Sequence, residues 1–200
     1  YSWEYAGFPK KIENAYELLD TSGEWYLNTH DGYLYYYPKA YEVPENIVAT
    51  LPRSEIAFVV AGTSPGNKIN HIRFDNLAFM YSAWLFPARE TGWYDVQANA
   101  TNYSGDGYIR GGKEDAAVIV ADAEGVEISN CTFSHLGGAG LNFRGSFKNC
   151  NIVGNHLYDL SGSGISMGVG EAEKTDYNRF VNPKENKYIR SNNLISNNLI

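Results

Sequence analysis

Apolar and polar positions alternate in short runs along this chain, and glycine or asparagine breaks each run after a few residues. In the second half the pattern repeats. Val126, Ile128, Cys131, Phe133, His135, Leu136, Gly138, Gly140, Leu141 and Phe143 fall on Cys150, Ile152, Asn155, Leu157, Asp159, Leu160, Gly162, Gly164, Ile165 and Met167, each 24 residues later. Most apolar residues land on apolar residues, and glycines land on glycines. A period in the twenties, built of short strands and glycine corners, is the mark of a solenoid. The strands are rich in β-branched residues and no helical spacing runs through them. The predicted fold is therefore all-β, a right-handed parallel β-helix with an N-terminal β-rich portion.

The pattern divides the chain at about residue 66. Before it, Ile12 to Leu19 has apolar residues at 12, 15, 16, 18 and 19, which predicts two turns of helix. Trp25 to Asn28 and Tyr33 to Tyr37 flank an Asp31-Gly32 step, a hairpin signal because glycine accepts the positive φ of the turn. Ile56 to Val60 reads as a further short strand. From residue 67 the coils begin. Ile72, Phe74, Leu77, Phe79 and Tyr81 match Val126, Ile128, Cys131, Phe133 and His135 with a shift of 54, read as two coils plus six residues. The extra length is assigned to a Gly-, Asn- and Tyr-rich loop at about 85–114. A second polar loop is expected at about 168–185. The coil pattern then resumes in either of two registers, one through Ile195, Asn198 and Ile200 (a shift of 43) and one through Ile189, Asn192 and Leu194. Asn155 and Asn198, or Asn192, suit an internal asparagine ladder. The chain starts without methionine and stops inside a coil, so it reads as a segment of a longer protein.

Composition narrows the functions. A formal charge of −7 with no basic stripe argues against nucleic acid. No stretch approaches the length of a membrane span. Cys131 and Cys150 take different places in the coil and are expected as two buried thiols, with no metal site and no cofactor. The 16 tyrosines and 4 tryptophans are the outliers; most suit strands, and some suit stacking on sugar rings.

Stacked coils put equivalent residues about 4.8 Å apart, close to the separation of about 5–5.5 Å between the two carboxyls of a retaining glycosidase. The rung to watch is Tyr81, His135 and Asp159. Asp159 is the candidate catalytic carboxylate, although Asp-Leu-Ser-Gly is also a turn signature. Strict alternation from Phe133 and Leu157 would aim His135 and Asp159 inward, but Leu136 and Leu160 suggest a bend that frees them. His135 would hold a proton, orient that carboxylate or bind a sugar hydroxyl. Glu171, on the second loop, is the candidate for a second carboxylate; the next member of the rung itself would fall just beyond Ile200. Trp93, Asp95, Gln97 and Asn99 on the first loop combine an aromatic face with sugar-type hydrogen-bonding groups, and the first three are the candidate substrate-binding set. Three glycosylation sequons start at Asn99, Asn102 and Asn130.

The stretch Glu13 to Asn28, ending in Gly32 to Pro38, resembles a segment of bacterial right-handed parallel β-helix proteins. So do Cys131-Thr-Phe-Ser-His-Leu-Gly-Gly-Ala-Gly-Leu-Asn and Asn155-His-Leu-Tyr-Asp-Leu-Ser-Gly-Ser-Gly-Ile. The group includes proteins resembling glycoside hydrolase family 141, with fucosidase and xylanase activities, and more distantly the family 120 β-xylosidases. The resemblance implies a secreted, periplasmic or cell-surface enzyme of polysaccharide breakdown, with aspartates on successive coils as catalytic residues; Asp159 is the position that matches one of them. A polysaccharide lyase and a non-catalytic glycan-binding or adhesion module are the alternatives. The expected partner is a carbohydrate, and the oligomeric state is not legible.

Overall fold

The computed structural model of the protein describes residues 15–85, 95–96, 100–103, 109–113, 115–168 and 184–200. The chain forms two compact units, Tyr1–Thr50 and Leu51–Ile200.

In the first unit β1 (Trp25–Asn28) pairs antiparallel with β2 (Tyr33–Tyr36), in the register Trp25 to Tyr36 and Asn28 to Tyr33. This is the hairpin the Asp-Gly step predicts. Gly32 takes φ +76°, and its amide closes the turn on the Asn28 carbonyl at 2.8 Å. Asp31 braces the turn by accepting from the Tyr33 amide and the Asn28 side chain. The expected two-turn helix differs: its described part is a single 3₁₀ turn, Tyr16–Leu18, and Ile12 to Asn14 lie outside the described residues. Tyr16 packs edge-on against Tyr26 and Tyr35 there.

The second unit is a right-handed parallel β-helix. Its first coil holds β3 (Phe58–Ala61), β4 (Ile69–Asn70), β5 (Arg73–Asp75) and β6 (Ala78–Ser82). Phe58–Ala61, grouped with the N-terminal portion in the sequence reading, thus pairs in parallel within the coil sheet. An antiparallel meander follows, β7 (Asp95–Val96), β8 (Ala100–Tyr103) and β9 (Ile109–Lys113). The second coil is β10 (Ala116–Glu124), β11 (Glu127–Ser129) and β12 (Thr132–Leu136). The third is β13 (Ala139–Lys148), β14 (Asn151–Val153) and β15 (His156–Leu160). The fourth begins with β16 (Ile165–Met167) and continues, after a 3₁₀ turn at Asn186–Tyr188, into β17 (Leu194–Ser196).

Three parallel sheets result, in the orders β16-β13-β10-β3, β17-β14-β11-β5 and β15-β12-β6. Ile128 sits between Phe74 and Ile152, which pins the shifts of 54 and 24. The 54-residue shift is one coil, not two: β5 and β6 lie directly beside β11 and β12, and the excess is the inserted segment. Ile152 pairs with Ile195, so the register of 43 holds in the last coil. The second polar loop falls largely outside the described residues.

Inward-facing residues form the core. Val60, Val120 and Phe143 stack in one column, and Ile128 and Ile152 in another. Phe79 stacks on Phe133, with ring centroids 5.1 Å apart. Each fully buried side chain of this kind contributes about 1.5–3 kcal/mol. The asparagine ladder runs through Asn155 and Asn198. The buried Asn155 side chain accepts from the Cys131 amide and donates to the Ile128 carbonyl and to Asn198 Oδ1, each at 2.9 Å. Asn198 repeats the bond to the Ile152 carbonyl one coil on. Cys131 and Cys150 are buried free thiols, and burial pushes both up from the usual thiol range.

Candidate active site on the third sheet

Corners of the solenoid are made by single residues in the left-handed region. The first corner uses His71, Gly125, Asn149 and Asn192, with φ between +54° and +63°. The second uses Asn76, Asn130, Gly154 and Asn197, with φ between +53° and +70°. Glycine bears this conformation without cost, and asparagine and histidine bear it better than most residues. Asn130, one of the sequon asparagines, sits here with its side-chain amide donating to Asp75 Oδ1 at 2.9 Å.

A third left-handed rung breaks the third sheet near the ends of its strands. It consists of Tyr81, His135 and Asp159, with φ of +61°, +54° and +53°. The ladder holds on either side of it, pairing Ser134 with Tyr158 and Leu136 with Leu160. One left-handed residue inverts the alternation. Phe133 and Leu136 both face the core, and His135 between them is turned outward. Asp159 is turned out in the same way between Leu157 and Leu160. The bend suggested by Leu136 and Leu160 is therefore this conformation, and the inward reading from strict alternation fails for that reason.

The three side chains meet. His135 Nδ1 lies 2.5 Å from Asp159 Oδ2, and the two side chains are 40% and 67% exposed. With the carboxylate ionised, Nδ1–H donates to it and the ring's other nitrogen is left for a ligand. The Tyr81 ring stacks on the His135 ring, with centroids 5.2 Å apart and planes 15° from parallel. Tyr158 meets His135 edge-on at 6.0 Å, and His156 packs on Tyr158 at 4.7 Å.

Of the other residues singled out in the sequence, Trp93, Gln97, Asn99 and Glu171 lie outside the described residues, and Asp95 is placed in β7 by its backbone alone. Sequence reasoning passed over Tyr158 and His156. A signal for them existed, because they alternate outward from Leu157. Among the described residues no three His, Cys, Asp or Glu side chains converge to hold a metal ion, and no helix is long and apolar enough to cross a membrane.

Residues 94–200, more than half of the chain, match the family model described as the right-handed beta helix region. The chain belongs to the right-handed β-helix family. A solved structure described as a glycoside hydrolase is similar to this β-helix protein over 92% of the chain, with a TM-score of 0.71 and 26% sequence identity. The chain spans 34% of the length of that protein. No curated protein matches the chain.

Proposed function

We propose that this β-helix protein is a glycoside hydrolase acting on a polysaccharide, with Asp159 as one of its catalytic carboxylates. One observation carries the reading. The left-handed rung turns a tyrosine, a histidine and an aspartate out of the core side by side, and for Tyr81 it does so against the residue's own preference, since the other non-glycine left-handed residues are Asn, His and Asp, which bear that backbone better. Backbone strain of this kind is found where side chains must be aimed for function. The likeness to a glycoside hydrolase over 92% of the chain supports the class.

In this reading Asp159 exchanges a proton with the glycosidic oxygen or with an attacking water, as the carboxyls of glycosidases do. His135 positions it. The imidazole donates to Oδ2 and leaves Oδ1 for the substrate, and stacking on Tyr81 holds the ring in that orientation. Asp159 is the one carboxylate within the three strands of this sheet, so a paired mechanism takes its second acid from elsewhere; Glu171 is the candidate within the chain. Xylose- or fucose-containing glycans and a secreted or cell-surface setting belong to the same proposal.

The test is release of reducing sugar from xylans and fucosylated glycans by the wild-type protein and by Asp159→Asn. The expected result is release by the wild type and a fall of about 10²–10⁴-fold in the variant, with unchanged thermal unfolding. Equal release by both would overturn the role of Asp159. Binding without release from any glycan would overturn the hydrolase reading.

A further inference from the structure

Two more outward rungs lie on the third sheet beside Asp159. In register, Met80, Ser134 and Tyr158 form the nearer one, and Ala78, Thr132 and His156 the farther. Ser134 is fully buried and its hydroxyl has no hydrogen-bond partner among the described residues. The nearer rung therefore meets solvent through Met80 and Tyr158, which are 37% and 42% exposed. The rings continue from rung to rung. Tyr81 stacks on His135, His135 meets the edge of Tyr158, and Tyr158 packs on His156 at 38°. Four rings and a thioether thus cover an outer sheet face next to one carboxylate.

We infer that this face is a subsite for neutral sugar rings, extending from Asp159 toward His156. The inference rests on the hydrolase reading for its account of Asp159, and adds the chemistry of the ligand. Exposed aromatic rings offer an apolar surface to the C–H faces of a pyranose, while the Tyr158 hydroxyl and the His156 ring nitrogens serve its hydroxyls. Strand rise places His156 and Asp159 about 10 Å apart, so the platform reaches past the sugar at Asp159 to a neighbour. Charge selects the ligand. The strands Ala78–Ser82, Thr132–Leu136 and His156–Leu160 contain no Lys or Arg. A uronate or sulfated sugar would meet Asp159 with no Lys or Arg on these strands to offset the repulsion. A neutral glycan meets no such penalty.

The experiment is calorimetric binding of neutral xylo- and fucosylated oligosaccharides, and of oligouronates, to the full chain. The ring variants are compared in an Asp159→Asn background, so that turnover does not interfere, whereas neutral ligands and oligouronates are compared on the wild-type chain, which keeps the Asp159 charge. Adding Tyr158→Ala is expected to weaken binding of the neutral oligosaccharides by about tenfold or more, and His156→Ala by a smaller factor. Tyr158→Phe, which keeps the ring, is expected to stay within about threefold of its parent. Neutral ligands should bind more tightly than oligouronates. The inference is overturned by an unchanged affinity in both alanine variants, by tighter oligouronate binding, or by no binding of any neutral oligosaccharide. Ring-dependent neutral binding by a wild type that releases no sugar would remove the hydrolase reading and leave the subsite standing.

Discussion

Tyr81, His135 and Asp159 show how one dihedral angle decides what a residue is for. Each would face inward in an unbroken strand, and each faces out because φ lies between +53° and +61°. For a tyrosine the left-handed region costs about 1–2 kcal/mol. Two substitutions separate that strain from the ring. Tyr81→Ala and Tyr81→Gly both remove the stacking on His135, but only glycine relieves the backbone. The glycine variant is expected to be the more stable by about 1 kcal/mol in denaturant unfolding, reversing the ordinary ranking of alanine over glycine. Equal midpoints, or a more stable alanine variant, would show that the rung is unstrained. His135→Asn keeps a side chain suited to the left-handed backbone and removes the imidazole. If His135 positions Asp159, kcat should fall about tenfold with KM within about twofold. A change confined to KM would instead make His135 a binding group.

At the scale of elements, hairpin and coil strands were legible because turn chemistry and period-2 alternation act locally. The helix expected near Tyr16 was not, since its apolar spacing covers few residues and the described stretch makes only one 3₁₀ turn. The segment after the hairpin is tied back to β2 by a hydrogen bond. The Tyr36 hydroxyl donates to Glu42 Oε2 at 2.6 Å, and the Lys39 amide donates to the same oxygen. That bond raises the Tyr36 phenol from 10.0 to about 12, and accepting it lowers the Glu42 carboxyl. The neutral phenol is the donor, so the link is fully present below pH 10 and is lost as pH rises through about 12. In a spectrophotometric titration of the 16 tyrosines, one late phenol is expected to vanish in Tyr36→Phe. An unchanged alkaline limb would exclude the bond. At the acid end the Glu42 contribution is lost only as pH falls through its lowered value.

Over the whole molecule, stacking converts spacing in sequence into neighbours in space. The 24-residue repeat sets Asn155 against Cys131, and the 43-residue shift sets Asn198 against Asn155. Asn155→Ala would strip partners from the buried Cys131 amide and Ile128 carbonyl at once. It is expected to destabilise the protein by about 2–4 kcal/mol, read from denaturant unfolding; a loss under about 1 kcal/mol would mean that water satisfies both groups. Gly140 has a related role. A Cβ there would come within 2.7 Å of the Gly164 carbonyl oxygen on the next coil, so this glycine, inside β13 rather than at a corner, serves close approach of backbones.

The sequence by itself determined the solenoid, its repeat, the two buried thiols and the rung that joins Tyr81, His135 and Asp159. All of these follow from apolar periodicity, and periodicity survives in a single dimension. Tertiary structure decided the rest. Strand pairing showed that 54 residues make one coil and chose Asn198 over Asn192, because two registers that score alike as patterns differ in which hydrogen bonds they close. It also turned the third rung outward. Leu136 and Leu160, out of step with strict alternation, signalled a bend, but that one left-handed residue makes it shows only in the folded backbone. The backbone is held there by the ladders on either side, and those ladders exist only once the coils have stacked.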